Sequence, residues 1–127
     1  MGLDITMHFV KHDDNNPAIY SAGDPRFDIE KYPLCAYWRK NFFINSEIGD
    51  VYYKKRLDTS DYSFNCKAIK LTLDDLLLIK KNVQKLSPRV WSINTIELDK
   101  KGTLKQLREV IAEIKKGKYD VYAFCSW

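Results

Sequence analysis

The chain has 127 residues, of which 45% are hydrophobic and 13% aromatic, and its formal net charge is +4. This composition excludes a disordered tail protein, and the length fits a single domain, residues 1–127, that buries a core of its own. The basic excess is too small and too interspersed with acidic residues to indicate nucleic-acid binding by itself. The three cysteines lie far apart without a C-x-x-C pair, which argues against a disulfide framework or a zinc site.

The N-terminus lacks the basic start and apolar run of a signal peptide. No apolar stretch approaches the length that a membrane-spanning helix needs. We therefore expect a protein of the cytoplasm that has no membrane partner.

The first predicted element is a strand in which apolar and polar residues alternate. Residues 3, 5, 7 and 9 are apolar and face one side, whereas Asp4, Thr6 and His8 face the other. Residues Lys11–Pro33 follow as a long surface loop rich in Asp, Asn, Gly and Pro. Loops of this length are often functional, so this one is a candidate lid or partner-binding segment, and a tolerated insertion is the alternative.

The central stretch, Leu34–Ile48, is predicted to form one amphipathic helix that ends at Gly49. Its apolar stripe includes Trp38 but also Asn41 and Asn45, which lie one helical turn apart. A buried amide without a partner costs on the order of 1–3 kcal/mol, so each asparagine needs one. The pair therefore predicts a site for a polar ligand such as a nucleobase or ribose, on which Trp38 could stack. Amides satisfied within the protein and a tryptophan packed in the core are the alternatives.

The next two elements are a strand and a helix. Cys66–Leu71 alternates as a short strand, and Thr72 is the predicted N-cap of a helix that ends at Ser87–Pro88. Residues Arg89–Leu98 favour an extended segment because they are rich in β-branched and aromatic side chains.

A third helix and a last strand complete the chain. Thr103 is predicted to cap the helix and Gly117 to close it, and Tyr119–Trp127 then forms a central strand that could pair with the first. Together the elements predict an α+β fold: a single two-layer domain with about three helices packed on one face of a small, mostly antiparallel sheet.

Charged residues add candidate ligand contacts. Asp4 could orient Arg39 toward an anionic ligand, or the two could form a structural ion pair. His8 is a further candidate contact, and with His12 it could in principle bind a metal or transfer protons. Their spacing is poor evidence for either role, so we expect no catalytic residues and no metal site.

Three aromatic residues are candidate partner contacts. Phe43 points away from the apolar stripe, so it is either covered by the long loop or exposed as an anchor for a partner protein. Tyr52 and Tyr53 precede a basic triplet, residues 54–56, and this combination is typical of surfaces that bind single-stranded nucleic acid.

Three segments of the chain together resemble a known family. Met1-Gly2-Leu3-Asp4-Ile5 opens the chain, Tyr37-Trp38-Arg39-Lys40 lies in its middle, and Ser126-Trp127 ends the last strand. In these segments the chain is similar to small accessory proteins of tailed bacteriophages, which open Met-Gly-Leu-Asp-Met and carry an internal Tyr-Trp-Arg-Lys helix. The family has a histidine where this chain has Asn45. A proton-transfer or metal role of that histidine therefore does not carry over.

The resemblance implies a bacteriophage origin and an accessory role in the host cytoplasm, where such proteins commonly act against host proteins or host defences. Because the sequence carries no catalytic signature, we expect a non-enzymatic binding protein that inhibits a host defence or host factor. It would do so by binding a host protein or by sequestering a small nucleotide-like ligand. The alternatives are a small enzyme acting on nucleotides or phosphoesters and a single-stranded nucleic-acid binding protein. We expect no cofactor, and the sequence leaves a homodimer open.

Overall fold

The computed structural model describes residues 2–56, 63–86 and 100–127. The strands in these ranges are β1 (Asp4–Lys11), β2 (Ile19–Tyr20), β3 (Leu34–Arg39), β4 (Ala68–Leu71) and β5 (Tyr119–Ser126). The helices are α1 (Phe42–Lys55), α2 (Leu73–Gln84) and α3 (Lys100–Lys115), and a short 3-10 helix spans Ile29–Lys31. The predicted extended segment Arg89–Leu98 and the helix end at Ser87–Pro88 lie outside the described residues.

The five strands form one sheet in the order β2-β4-β5-β1-β3, and every neighbouring pair is antiparallel. The longest pairing joins β1 to β5, in register from Asp4 opposite Ser126 to Lys11 opposite Tyr119. The predicted α+β class, the antiparallel sheet, the central position of the last strand and its pairing with the first are confirmed.

The main core lies between the sheet and the helices, because β1 and β5 alternate and present their apolar residues to one side. Its members come from β1 (Ile5, Met7), α1 (Ile44, Ile48), α2 (Leu76, Ile79), α3 (Leu107, Val110) and β5 (Val121, Ala123). All three described helices thus cover the same face of the sheet, as expected for a two-layer domain.

The opposite face of the sheet carries a second, smaller apolar cluster. The Tyr122 ring on β5 packs 5.5 Å from the Phe27 ring, which in turn lies 5.3 Å from the Tyr32 ring. The Tyr122 hydroxyl donates a hydrogen bond to the carbonyl of Pro17. The loop Lys11–Pro33 therefore packs on the sheet and contributes β2 to it, while its role as a lid stays a prediction.

The prediction of one helix over Leu34–Ile48 is wrong in its first half. Residues Leu34–Arg39 form the edge strand β3, and Lys40 ends it with φ at 55° while its N–H donates to the Leu3 carbonyl over 2.6 Å. Helix α1 begins only at Phe42. In β3, Ala36 and Trp38 are buried and their neighbours are more exposed. Burial of every second residue is the pattern of a strand, although the hydrophobic pattern of the whole stretch also fits a helix.

Two predicted helix boundaries are also wrong, and two are confirmed. Helix α1 continues through Gly49, which is buried against Phe64, and Thr103 lies inside α3 because the helix already includes Lys100. Thr72 is the N-cap of α2, where it forms a capping box with Asp75. Gly117 follows α3 with φ at 77°, the left-handed conformation that favours glycine at a helix end.

Candidate functional site

A cavity of about 270 Å³ opens where β3 ends and α1 begins. One wall comes from this junction (Tyr37, Trp38, Arg39, Asn41) and the other from the first turns of α3 (Gly102, Thr103, Gln106). The cavity lies at this junction, where the left-handed turn at Lys40 carries the chain from the sheet edge into α1.

The decisive side chain in this cavity is Asn41. It is fully buried and is the N-cap of α1, since its Oδ1 accepts a hydrogen bond from the Ile44 N–H over 2.9 Å. This bond fixes which end of the amide faces the helix. The other end, the Nδ2 donor, is buried and has no hydrogen-bond partner among the described residues. A buried donor of this kind costs on the order of 1–3 kcal/mol until an acceptor reaches it.

The surroundings of the cavity are positively charged. Arg39 and Lys40 are exposed, and within the described ranges neither forms an ion pair. The first turn of α1 carries no acidic residue, so the partial positive charge of the helix N-terminus is not neutralised there. Lys101 and Lys105 are exposed on the same turns of α3 that line the cavity. The electrostatic potential therefore favours a negatively charged group.

The walls of the cavity are held by specific hydrogen bonds. The Trp38 indole Nε1 donates to the Thr103 hydroxyl over 3.1 Å. The Gln106 amide pairs with the backbone of Tyr37: its Oε1 accepts from the N–H over 2.9 Å, and its Nε2 donates to the carbonyl over 3.3 Å. This amide takes the place of a neighbouring strand on the open edge of β3. The cavity is consequently shaped before any ligand arrives.

The predicted ligand contacts Trp38, Arg39 and Asn41 line this same cavity. Asp4 lies opposite Arg39 in the β1–β3 register, yet no ion pair joins them within 4.0 Å. Instead the Asp4 carboxylate accepts a hydrogen bond from the Tyr37 hydroxyl over 2.8 Å. This leaves the Arg39 guanidinium available to an anion.

Asn45 lines a separate cavity of about 350 Å³ together with Leu3, Phe42 and Trp127. Its Oδ1 is buried and, like the Nδ2 of Asn41, has no hydrogen-bond partner among the described residues. The two asparagines therefore mark two neighbouring cavities rather than one. The placement of Asn41 at the N-cap separates them.

His8 lies far from both cavities, on the face of the sheet that carries the smaller apolar cluster. Its Nδ1 donates to the Tyr32 carbonyl over 3.1 Å, so the neutral ring accepts at Nε2 from the Thr6 hydroxyl over 2.9 Å. Burial lowers the pKa of His8, although the bond to the Tyr32 carbonyl opposes this shift. Both ring nitrogens are thus used within the protein.

His12 occupies a third location, at the far end of β1. Its Nδ1 donates to the Asp120 carboxylate over 2.9 Å, and Asn16 donates to the other oxygen of the same carboxylate over 2.8 Å. The two histidines therefore share no cleft with each other or with Arg39. Within the described ranges no group of three His, Cys, Asp or Glu side chains could hold a metal ion.

The three predicted partner contacts, Phe43, Tyr52 and Tyr53, differ in how much of each ring is exposed. Tyr52 is only 2% exposed and belongs to the main core, so it presents no ring to a partner. Tyr53 is 45% exposed, with the Arg56 guanidinium 5.3 Å from its ring centroid. Phe43 packs partly buried against the core, whereas its neighbour Phe42 is 61% exposed. Nothing in the sequence indicated that three further residues line the cavities, because no local pattern connects them to the predicted contacts. They are Phe42 in the cavity of Asn45, and Thr103 and Gln106 in the cavity of Asn41.

Comparisons with protein-family models, curated proteins and solved structures gave no match. In the described parts of the chain, no helix has both the length and the apolar character needed to cross a bilayer.

Burial raises the pKa of the Cys35 and Cys125 thiols to about 12, so both stay protonated and unreactive at neutral pH. The residues that line the α1 cavity offer hydrogen-bonding groups, and exposed basic residues lie beside them.

Proposed function

We propose that this protein is a non-enzymatic binding protein that holds the anionic group of a small polar ligand, such as the phosphate of a nucleotide, in the cavity at the start of α1. The observation that carries the proposal is the buried Nδ2 of Asn41, a donor for which the described residues supply no acceptor. Its orientation is set by the N-cap bond at the other end of the amide. An anion oxygen would satisfy it at the helix terminus, where negative charge is stabilised.

The size of the cavity supports a small group. Pockets for drug-sized ligands enclose roughly 300–1,000 Å³, and this cavity, at about 270 Å³, lies just below that range. A phosphate or carboxylate would fit between Asn41 and Gln106 with the Arg39 guanidinium at the opening. Arginine matches the geometry of such oxyanions with paired N–H donors.

The bacteriophage resemblance supports a proposed biological role, the inhibition of a host defence. A small phage protein that retains a nucleotide-like molecule would deprive a host defence of that molecule. Binding to a host protein through the exposed Phe42 is the other route to the same inhibition, and it would not need the α1 cavity.

The test is isothermal titration of the purified protein with inorganic phosphate and with AMP. The decisive variant is Asn41→Ser, because serine keeps the N-cap oxygen but removes the unpaired amide donor. Thermal unfolding verifies that this variant is folded, and we expect it to bind both probes about tenfold more weakly, as the loss of roughly 1.4 kcal/mol requires.

Charge controls complete the experiment. Arg39→Gln should also weaken phosphate binding, whereas Lys115→Gln, which removes one exposed cation at the other end of α3, should leave it unchanged. Absence of binding at about 10 mM of either probe, a free energy weaker than roughly −2.7 kcal/mol, would refute the proposal. An affinity for phosphate and AMP that is unchanged in the Asn41→Ser variant would also refute the proposal.

A further inference from the structure

The second cavity lies one helical turn along α1 from the first. Asn45 follows Asn41 by four residues, which is about 6 Å along the helix axis. Leu3 links the two regions: its carbonyl accepts from the N–H of Lys40, which lies between Arg39 and Asn41 of the first cavity, and Leu3 itself lines the second cavity. A ligand whose anionic group occupies the first cavity would therefore extend toward the second.

The walls of the second cavity suit a flat aromatic ring. Phe42 is 61% exposed and Trp127 is 40% exposed, so both present aromatic surface beside the cavity. Trp127 is held in place at both backbone groups by one side chain: its N–H donates to the Asn65 Oδ1 over 3.0 Å, and its carbonyl accepts from the Asn65 Nδ2 over 3.2 Å. The Phe64 ring supports its indole at 4.9 Å between centroids.

The polar group of the second cavity is the Asn45 amide. Its buried Oδ1 has no donor among the described residues, so a ring with an N–H group would satisfy it. Asparagine pairs with adenine through two bonds, in which Oδ1 accepts from the exocyclic amine and Nδ2 donates to N7. In this same orientation, guanine and hypoxanthine present a carbonyl oxygen in place of that amine and would leave Oδ1 unpaired.

We infer that the ligand is an adenine nucleotide, with its phosphate at Asn41 and Arg39 and its base between Phe42, Trp127 and Asn45. The inference rests on the proposed function, because it places the phosphate in the α1 cavity. The ribose would then cross the backbone at Lys40. The arrangement uses both unpaired amide atoms of α1 in one molecule.

AMP and IMP form a matched pair of probes, since they differ at the position that Asn45 would recognise. Titration of the full chain should show IMP binding at least tenfold more weakly than AMP, because an acceptor facing an acceptor loses a hydrogen bond and leaves a buried oxygen unpaired. Inorganic phosphate should bind more weakly than either. Asn45→Leu should reduce the affinity for AMP to that for IMP and leave phosphate binding unchanged.

A stacking control tests the aromatic wall. Trp127→Ala should weaken AMP binding about tenfold, whereas Tyr119→Ala, which removes a ring of similar exposure at the other end of β5, should not. Thermal unfolding of each variant verifies that it is folded. Equal affinity for AMP and IMP, or an unchanged affinity for AMP in Asn45→Leu, would overturn the base site while phosphate binding left the proposed function intact. Failure of both phosphate and AMP to bind would overturn both.

Discussion

Gly49 offers the sharpest test of how α1 packs. A Cβ at this position would lie 2.8 Å from Cε1 and 2.9 Å from Cζ of Phe64, where ordinary contact begins at 3.4 Å. The Phe64 ring must then move by about half an ångström, and Tyr52 and Trp127 pack against it at 5.9 and 4.9 Å between centroids. Overpacking of this kind costs about 1–3 kcal/mol, whereas alanine in a helix gains about 1 kcal/mol over glycine. Gly49→Ala should therefore lose roughly 1 kcal/mol of stability.

Urea unfolding followed by circular dichroism measures this loss, and a double-mutant cycle identifies its cause. Leucine at position 64 lacks both ring atoms that the new methyl would meet, so Phe64→Leu should cost at least about 1 kcal/mol less in the Gly49→Ala background than alone. Ser46→Gly and Ser46→Ala, at an exposed site of the same helix, supply the helix-propensity difference without packing. Two results would refute the reasoning. One is that the stability losses of Gly49→Ala and Phe64→Leu simply add in the double variant. The other is that Gly49→Ala gains as much stability as Ser46→Ala gains over Ser46→Gly.

Two further predictions concern buried and exposed hydrogen bonds. Thr103→Val removes the acceptor of the buried Trp38 indole N–H and should cost about 1–3 kcal/mol in urea unfolding; a loss below about 0.5 kcal/mol would show that the indole finds another acceptor. Hydrogen bonding to Asp120 and its negative charge raise the pKa of His12 above 6.5. The stability gained from this pair is therefore complete below pH 6.5 and is lost as the pH rises through the folded-state pKa. The difference in unfolding free energy between the unmodified protein and His12→Gln should be largest below pH 6.5 and shrink as the pH rises above it; a difference that grew with pH would contradict the assignment.

The sheet and its main face were predictable because the two longest strands show clear alternation. The apolar residues 3, 5, 7 and 9 of β1 indicate a strand with one buried side, and Tyr119–Trp127 is apolar enough to indicate a central one. Thr72 and Gly117 were also readable, since capping is decided by local chemistry.

The secondary structure of the central stretch, residues 34–49, could not be predicted from local patterns. Residues 34–39 fit both the helical and the strand period, and pairing with β1, more than 20 residues earlier, decides between them. Gly49 resembles a helix end in sequence, but the Phe64 ring that requires it lies outside the helix.

Four of the predicted ligand contacts, Trp38, Arg39, Asn41 and Asn45, each line one of the two cavities, but the sequence did not indicate how they are arranged. A pair of asparagines in an apolar stretch indicates amides that need partners, and Asn41 and Asn45 each carry one buried atom that no described residue bonds. Their separation into two cavities follows from the N-cap role of Asn41. The opposite wall, with Gln106, comes from a helix more than 60 residues later, for which the sequence offers no signal.

The position of β5 bears on how the chain folds during synthesis. Among the described strands, the pairs β2–β4 and β1–β3 are joined through β5 alone, so until residues 119–126 are available these strands form at most two separate two-stranded ribbons. Such ribbons are marginal in water, and the pairing that unites them spans more than 100 residues of sequence. A nascent chain on the ribosome would therefore lack the five-stranded sheet until residue 126 has left the exit tunnel, and its unpaired strand edges would be open to aggregation until then.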